Sequence, residues 1–83
     1  MGLAEENNVI MLPENGEDVD LSVTDHTFIQ PAVLYVGTGG DVVVKLKNGT
    51  THTFKNVPDG YQLAAKVIIV YQSSTATDMV GLW

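Results

Sequence analysis

The chain has 83 residues, with four basic and ten acidic side chains and a net charge of −6 at pH 7. A chain of this length forms one domain, and a core of this size supplies only about 3–5 kcal/mol of stability. Because cysteine is absent, neither a disulfide nor a good zinc ligand set can reinforce it. Four lysines without arginine do not make a clustered phosphate-binding surface, which argues against a nucleic-acid partner. Partner chains are the remaining source of stability, so composition favours assembly.

No membrane partner is predicted. The longest continuous apolar runs, such as residues 67–71, are five residues long, whereas about 20 are needed to span a bilayer. The first six residues contain neither a basic region nor an apolar stretch, so no signal peptide is predicted. We expect a soluble protein.

The N-terminal region differs in charge from the rest. Residues 1–25 contain seven acids and no base, whereas residues 26–83 contain three acids and four bases. This predicts an acidic arm, residues 1–18, attached to a single β-domain, residues 19–83. The arm contains four consecutive apolar residues, Val9, Ile10, Met11 and Leu12, which we expect to dock on the body or on a neighbouring chain. The alternative is a solvated, partly disordered tail.

The first predicted strands alternate or run apolar in short segments. Residues 19–24 alternate with a period of two, which is typical of a half-buried strand. Residues 32–36 form an apolar strand that ends at the glycine-rich segment 37–40, which must turn. Residues 41–47 alternate again, with Val42 and Val44 facing the core.

Asn48 and Gly49 predict a two-residue type I′ turn into a returning strand, residues 50–55. Such a turn would place Lys45 opposite His52 and Val43 opposite Phe54.

The last part of the chain favours strands over helices. Residues 61–66 could be helical by propensity, but the β-branched run that follows favours a strand over 65–72. A loop at 73–77 precedes a final strand at 79–83, whose terminal Trp83 we expect to be tied down by the core or by a subunit contact. The predicted fold is all-β: a small antiparallel sandwich or barrel, jelly-roll-like, with an extended N-terminal arm.

The motifs that carry chemistry are incomplete. Residues 37–42 lack the lysine of a phosphate loop and the third glycine of a dinucleotide fingerprint. Asp18 and Asp20 lack the remaining ligands of a calcium loop, and Asp25 with His26 matches a hydrolytic triad only in composition. We predict no catalytic residue, no cofactor and no metal.

Three segments nevertheless resemble a known family. These are Leu34-Tyr35-Val36-Gly37-Thr38-Gly39-Gly40-Asp41, Phe54-Lys55-Asn56-Val57-Pro58-Asp59-Gly60 and Thr75-Ala76-Thr77-Asp78. Together with their surroundings they are similar to the head-spike base proteins of tailed phages and gene-transfer agents. The resemblance covers about three quarters of the chain, and residues 1–22 have no clear counterpart.

The resemblance implies a structural role outside a capsid. It implies a virion protein that is made in the host cytoplasm and sits on the capsid exterior. There it would form a homo-oligomeric ring at a vertex, expected to be a pentamer. Its partners would be the major capsid protein and a fibre or spike protein.

A ring requires two different patches on each copy. We expect the segment 9–12 to be one patch and the edge of the strand 32–36 to be the other, with Tyr35 and Trp83 as further interface residues. The alternative is a small β-barrel module that binds a glycan, a peptide or a small ligand. Its contact aromatics would be Tyr35, Tyr61, Tyr71 and Trp83.

Overall fold

The computed structural model describes residues 12–83. Within them the chain forms six strands and no helix: β1 (Gly16–Asp18), β2 (His26–Thr38), β3 (Gly40–Leu46), β4 (Thr51–Val57), β5 (Tyr61–Val70) and β6 (Thr77–Leu82). Every pair of neighbouring strands is antiparallel. The predicted all-β, antiparallel fold is therefore confirmed.

The six strands belong to one sheet in the order β1-β6-β2-β5-β3-β4. This sheet curls back on itself, because the segment 71–76 leading into β6 also hydrogen-bonds to β3. The Tyr71 N–H donates to the Val43 carbonyl at 2.8 Å, and the Thr75 N–H donates to the Asp41 carbonyl at 2.8 Å. These bonds bring β3 alongside the approach to β6, as in a small barrel.

The core fills the inside of the curl. Its largest fully buried side chains are Leu34, Val36, Val42, Val44, Val67 and Val70. Those of β2 and β3 follow the period of two of a strand, whereas Val67 and Val70 are three residues apart because the register of β5 shifts between them. Among the described residues no polar or charged side chain is buried. The core of the described residues is therefore purely apolar and contains no buried titratable or nucleophilic side chain.

The strand predicted over residues 19–24 is wrong. The Asp20 carboxylate accepts the Ser22 N–H at 3.0 Å and the Ser22 hydroxyl at 2.7 Å, which bends the backbone there. The strand instead lies just before it, at β1, inside the predicted arm. Val19 and Leu21 still pack against the core, whereas Val23, the third apolar position of the pattern, is 85% exposed.

The helical alternative for residues 61–66 is also wrong, because β5 begins at Tyr61. Pairing with β2 places Val36 opposite Tyr61 and Tyr35 opposite Gln62. Sheet pairing with a distant segment thus overrides the helical propensity of this stretch.

The β3–β4 hairpin has a different turn from the one predicted. Gly49 has a positive φ of 91°, whereas Asn48 is not among the positive-φ residues. The Gly49 N–H donates to the Leu46 carbonyl, and the Leu46 N–H donates to the Thr50 carbonyl, both at 2.8 Å. This is a three-residue connection, a type I turn followed by a bulge at glycine.

The longer turn shifts the register by one residue. Val44 lies opposite His52 and Val42 opposite Phe54, whereas Lys45 lies opposite Thr51. Because a slip of one residue exchanges the two faces of a strand, Phe54 faces the core side of the sheet. The core positions of Val42 and Val44 are as predicted.

Candidate functional site

The structure does not offer the strand edge that the predicted subunit contact requires. Residues 32–36 lie in β2, which pairs with β5 on one side and with β6 on the other. The expectation of a free edge there is wrong, because a continuous apolar run is typical of a central strand whose neighbours cover it. The terminal strands of the sheet are instead β1 and β4.

The predicted interface residues have different environments. Val9, Ile10 and Met11 lie outside the described residues, and Leu12 is 75% exposed. Tyr35 is 38% exposed on the outer face of β2, since its neighbours Leu34 and Val36 point into the core. These residues thus include one exposed end of the apolar segment and one exposed aromatic ring.

Trp83 is tied down, as the sequence predicted, and its partner is the end of the arm. The Trp83 carbonyl accepts the N–H groups of Glu14 at 2.9 Å and Asn15 at 2.8 Å. The Trp83 N–H in turn donates to the Asn15 carbonyl at 3.0 Å, and its side chain packs against the core. The arm is therefore fixed to the body at residues 14–18, beside the C-terminus.

The single ion pair among the described residues joins β1 to β2. The His26 ring Nε2 lies 2.5 Å from a Glu17 carboxylate oxygen, with side-chain exposures of 16% and 27%. The ring also packs edge-on against Phe28, at 4.9 Å between centroids. Asp25 does not join this pair, since its carboxylate accepts the Gln72 N–H at 2.7 Å. The Glu17–His26 pair therefore links β1 to β2, and Asp25 and His26 do not form part of a hydrolytic triad.

Three further carboxylates hold the chain turns at one end of the sheet. Asp59 accepts the Gly39 N–H at 2.6 Å, Asp41 accepts the Asn56 N–H at 3.1 Å, and Asp78 accepts the Thr38 hydroxyl at 2.7 Å. Each of these side chains satisfies a polar group of a neighbouring turn. Across residues 12–83, no group of three or more histidine, aspartate or glutamate side chains is placed to hold a metal ion.

An open apolar groove lies between β4 and the first half of β5. It has a volume of about 450 Å³ and is lined by Phe54, Lys55, Asn56, Val57, Pro58, Tyr61, Leu63, Ala64 and Ala65. We call it the β4–β5 groove. It exists because β4 pairs with β3 alone, whereas residues 61–65 of β5 have no partner on β3 and only Tyr61 and Gln62 among them pair with β2.

The groove runs along an edge of β5. Three consecutive residues, Leu63, Ala64 and Ala65, all line it, because a register shift places these three opposite Leu34 alone and interrupts the alternation of side chains. A second shallow pocket, of about 510 Å³, is lined by the same three residues together with Val33, Gln62 and Lys66. Both faces of the sheet beside this edge are therefore lined in part by apolar side chains.

Positive charge is confined to one side of the strand order. The four lysines lie on β3, β4, β5 or the β3–β4 turn: Lys45, Lys47, Lys55 and Lys66. Within residues 12–83, no lysine ammonium lies within 4.0 Å of a carboxylate. The β1 side instead carries Glu14, Glu17 and Asp18, close to the β6 residue Asp78. The two sides of the sheet thus differ in sign.

Reasoning from the sequence missed the groove. The available signal was the pair Ala64 and Ala65, two small residues between Leu63 and Lys66, which leave room beside the strand. The strand order that leaves this edge unpaired could not be obtained from local patterns.

The described part of the chain contains no helix that is long and apolar enough to cross a membrane. In comparisons with known proteins, no protein-family model, no curated protein and no solved structure matches the chain.

Proposed function

We propose that the protein is a non-enzymatic structural component that assembles into a closed ring. In the setting that the sequence resemblance implies, the ring is the base of a spike or fibre at a vertex on the exterior of a phage-like capsid. The observation that carries this proposal is the pair of dissimilar sides of the sheet. The side at β1 is acidic and follows the N-terminal arm in sequence. The side at β4 and β5 carries lysines and contains the open groove.

Dissimilar sides support a head-to-tail ring. Two different patches on each copy produce a closed ring when the rotation between copies closes. A free strand edge that is not blocked is a template for pairing with another chain, and opposite charges on the two patches favour one orientation of approach. A symmetric dimer would bring like charges together instead.

The resemblance is supported by where its segments lie. The three segments most similar to head-spike base proteins meet at one end of the sheet, although they are distant in sequence. Thr38 bonds to Asp78, the Gly39 N–H donates to Asp59, and the Asp41 N–H donates to the Thr75 hydroxyl at 2.8 Å. Their residues therefore act together in shaping the fold, which is what a shared fold would preserve.

Native mass spectrometry of the purified full chain tests the assembly, and co-sedimentation with purified heads tests the capsid partner. We expect a single ring near five times 8.9 kDa that sediments with heads. A monomer at every concentration that also fails to sediment with heads would contradict the proposal. A ring of another size would change the symmetry while leaving the assembly in place.

A second function, a module that binds a small ligand or a peptide, is favoured by the β4–β5 groove. Its volume of about 450 Å³ lies within the range of roughly 300–1,000 Å³ typical of small-molecule sites. Of the four aromatic residues expected to form such a site, Tyr61 lines the groove. This function predicts that the protein stays monomeric or dimeric and forms no ring. It also predicts that the NMR amide resonances near Tyr61 shift when a ligand is added.

A further inference from the structure

We infer that the β4–β5 groove accepts the apolar segment Val9, Ile10, Met11 and Leu12 of the next copy, as an added strand along the free edge of β5. This inference rests on the self-assembly part of the proposed function and does not require the capsid.

The backbone of β5 offers the edge. Tyr61, Gln62, Lys66 and Val67 pair with β2 on one side, and residues 63–65 between them form a bulge opposite Leu34. On the other side, pairing with β3 begins at Val67, and the Lys66 carbonyl accepts the Lys47 N–H at 3.0 Å. Among the described residues, none pairs with residues 61–65 on that side. A stretch of five residues matches an added strand of four, and backbone hydrogen bonds would supply affinity.

The side chains along this edge favour a continuous apolar partner. Phe54 and Val57 line the groove on one face, and Val33 lines the pocket on the other. A strand placed here has apolar neighbours on both faces, and strands buried on both faces are continuously apolar rather than alternating. Val9, Ile10, Met11 and Leu12 are continuously apolar. Ala64 and Ala65 leave room for their larger side chains.

The charges agree with this occupant. Lys55 lines the groove and Lys66 lines the pocket on the opposite face. The apolar segment is preceded by Glu5 and Glu6 and followed by Glu14. A strand in the groove would therefore bring carboxylates towards lysines that have no carboxylate within 4.0 Å in the described chain.

The anchoring of the arm favours a second copy over the same copy. Glu14 is fixed by Trp83 beside β1, and two residues of chain span at most about 7 Å. In the strand order, β6 and β2 lie between β1 and β5. Three strand spacings of about 4.8 Å each therefore separate β1 from β5, which is farther than the two residues from Glu14 to Leu12 can reach. Leu12 itself is exposed and does not line the groove of its own chain.

A complementation experiment tests the inference with the full chain. Ile10→Asp removes the donor segment and keeps the groove, whereas Ala64→Glu blocks the groove and keeps the segment. We expect each variant alone to associate at least about tenfold more weakly than the wild type, a loss of about 1.4 kcal/mol. Mixed in equal amounts, they should form a one-to-one dimer in sedimentation velocity, because one intact donor meets one intact acceptor.

Matched controls separate occupancy from folding. Ile10→Leu keeps the donor apolar and Ala64→Ser keeps the acceptor small, so both should assemble like the wild type. Circular dichroism and thermal unfolding of every variant check the fold. If Ala64→Glu does not fold, Lys55→Glu replaces it, because this exposed side chain lines the same groove.

Four results would overturn the inference. They are a wild-type ring formed by Ala64→Glu, a mixture that stays monomeric with both variants folded, a monomeric wild type, and a small molecule that native mass spectra show bound to the wild type but not to Ala64→Glu. Co-sedimentation of the same proteins with purified heads distinguishes a failure of this inference from a failure of the proposed function. An Ala64→Glu ring that binds heads refutes the groove alone, whereas a wild-type monomer that ignores heads refutes both.

Discussion

Individual side chains set the direction of the backbone where strands meet. Asn56 and Asp78 adopt positive φ values of 57° and 55°, a region that side chains other than glycine visit at a cost. The Asn56 N–H donates to Asp41, and the Asp78 carboxylate accepts the Thr38 hydroxyl. These bonds offset the free-energy cost of the positive φ values. The polar side chains at the corners of the sheet therefore have a structural role, although a search for catalytic groups would select them.

Gly81 should be intolerant of a side chain. A β-carbon there would overlap the buried ring of Phe28, and overpacking a core costs about 1–3 kcal/mol. We expect Gly81→Ala to lower the free energy of unfolding by that amount in urea denaturation. Gly16, which lies opposite Leu82 on the neighbouring strand β1, provides the control, since a β-carbon there meets its nearest atom at an ordinary 3.4 Å. An equal loss in Gly16→Ala would contradict the packing argument.

The bend at Asp20 should depend on pH. The hydrogen bonds from the Ser22 hydroxyl and then the Ser22 N–H stabilise the ionised carboxylate, so the pKa of Asp20 lies below 3.8, its ordinary value. Because the folded pKa is depressed, the stabilisation is present above pH 3.8 and is lost as pH falls through the folded pKa. Carboxyl titration by NMR should show this, and Ser22→Ala should return the pKa of Asp20 towards 3.8. An unchanged pKa in that variant would exclude the hydroxyl as the cause.

At the scale of elements, β2 organises the sheet. Its second half pairs with both β5 and β6, and a register shift between Thr27 and Ala32 separates the two halves. A bulge of this kind bends a strand and increases its twist. The first half thereby carries Phe28 over Gly81, which lets one long strand contribute to both ends of the core.

Two apolar residues of β2 should differ sharply in their effect on stability. Leu34 is fully buried, so Leu34→Ala should cost about 2–5 kcal/mol of unfolding free energy. Ile29 lies in the same strand but is 81% exposed, so Ile29→Ala should change it by less than about 0.5 kcal/mol. Guanidinium denaturation of both variants measures the contrast. Similar losses at the two sites would mean that Ile29 is buried by a partner.

At the scale of the whole molecule, the separation of charge follows the strand order. The lysines lie on β3, β4, β5 and the β3–β4 turn, while the arm and β1 are acidic. A separation of this kind orients two copies head to tail as they approach.

Association between copies should therefore weaken as salt is added. The Debye length falls from about 10 Å at 0.1 M to about 3 Å at 1 M ionic strength, so sedimentation should show smaller assemblies at high salt. Lys66→Glu should weaken association at low salt, and adding Glu14→Lys to it should restore part of the loss. Association that strengthens with salt would indicate a contact dominated by apolar burial instead.

The sequence by itself was sufficient for the fold class and for most strands. Alternation or apolar runs identified the central parts of β2, β3, β5 and β6, because a side chain's burial within a strand follows a local period of two. It also predicted a fixed C-terminus at Trp83, which the bonds to Asn15 provide. Local patterns thus determined which residues of β2 and β3 face inward, but not which face of β4 does.

Tertiary structure alone decided which strands are neighbours. Pairing between distant segments made residues 61–66 a strand, placed residues 32–36 in the middle of the sheet, and left the edge of β5 open beside Ala64. It also placed a strand in the arm, next to β6. Strand order depends on hydrogen bonds across long separations in the chain, and no local period encodes them. The candidate site is a consequence of that order, so it could be found only in the folded molecule.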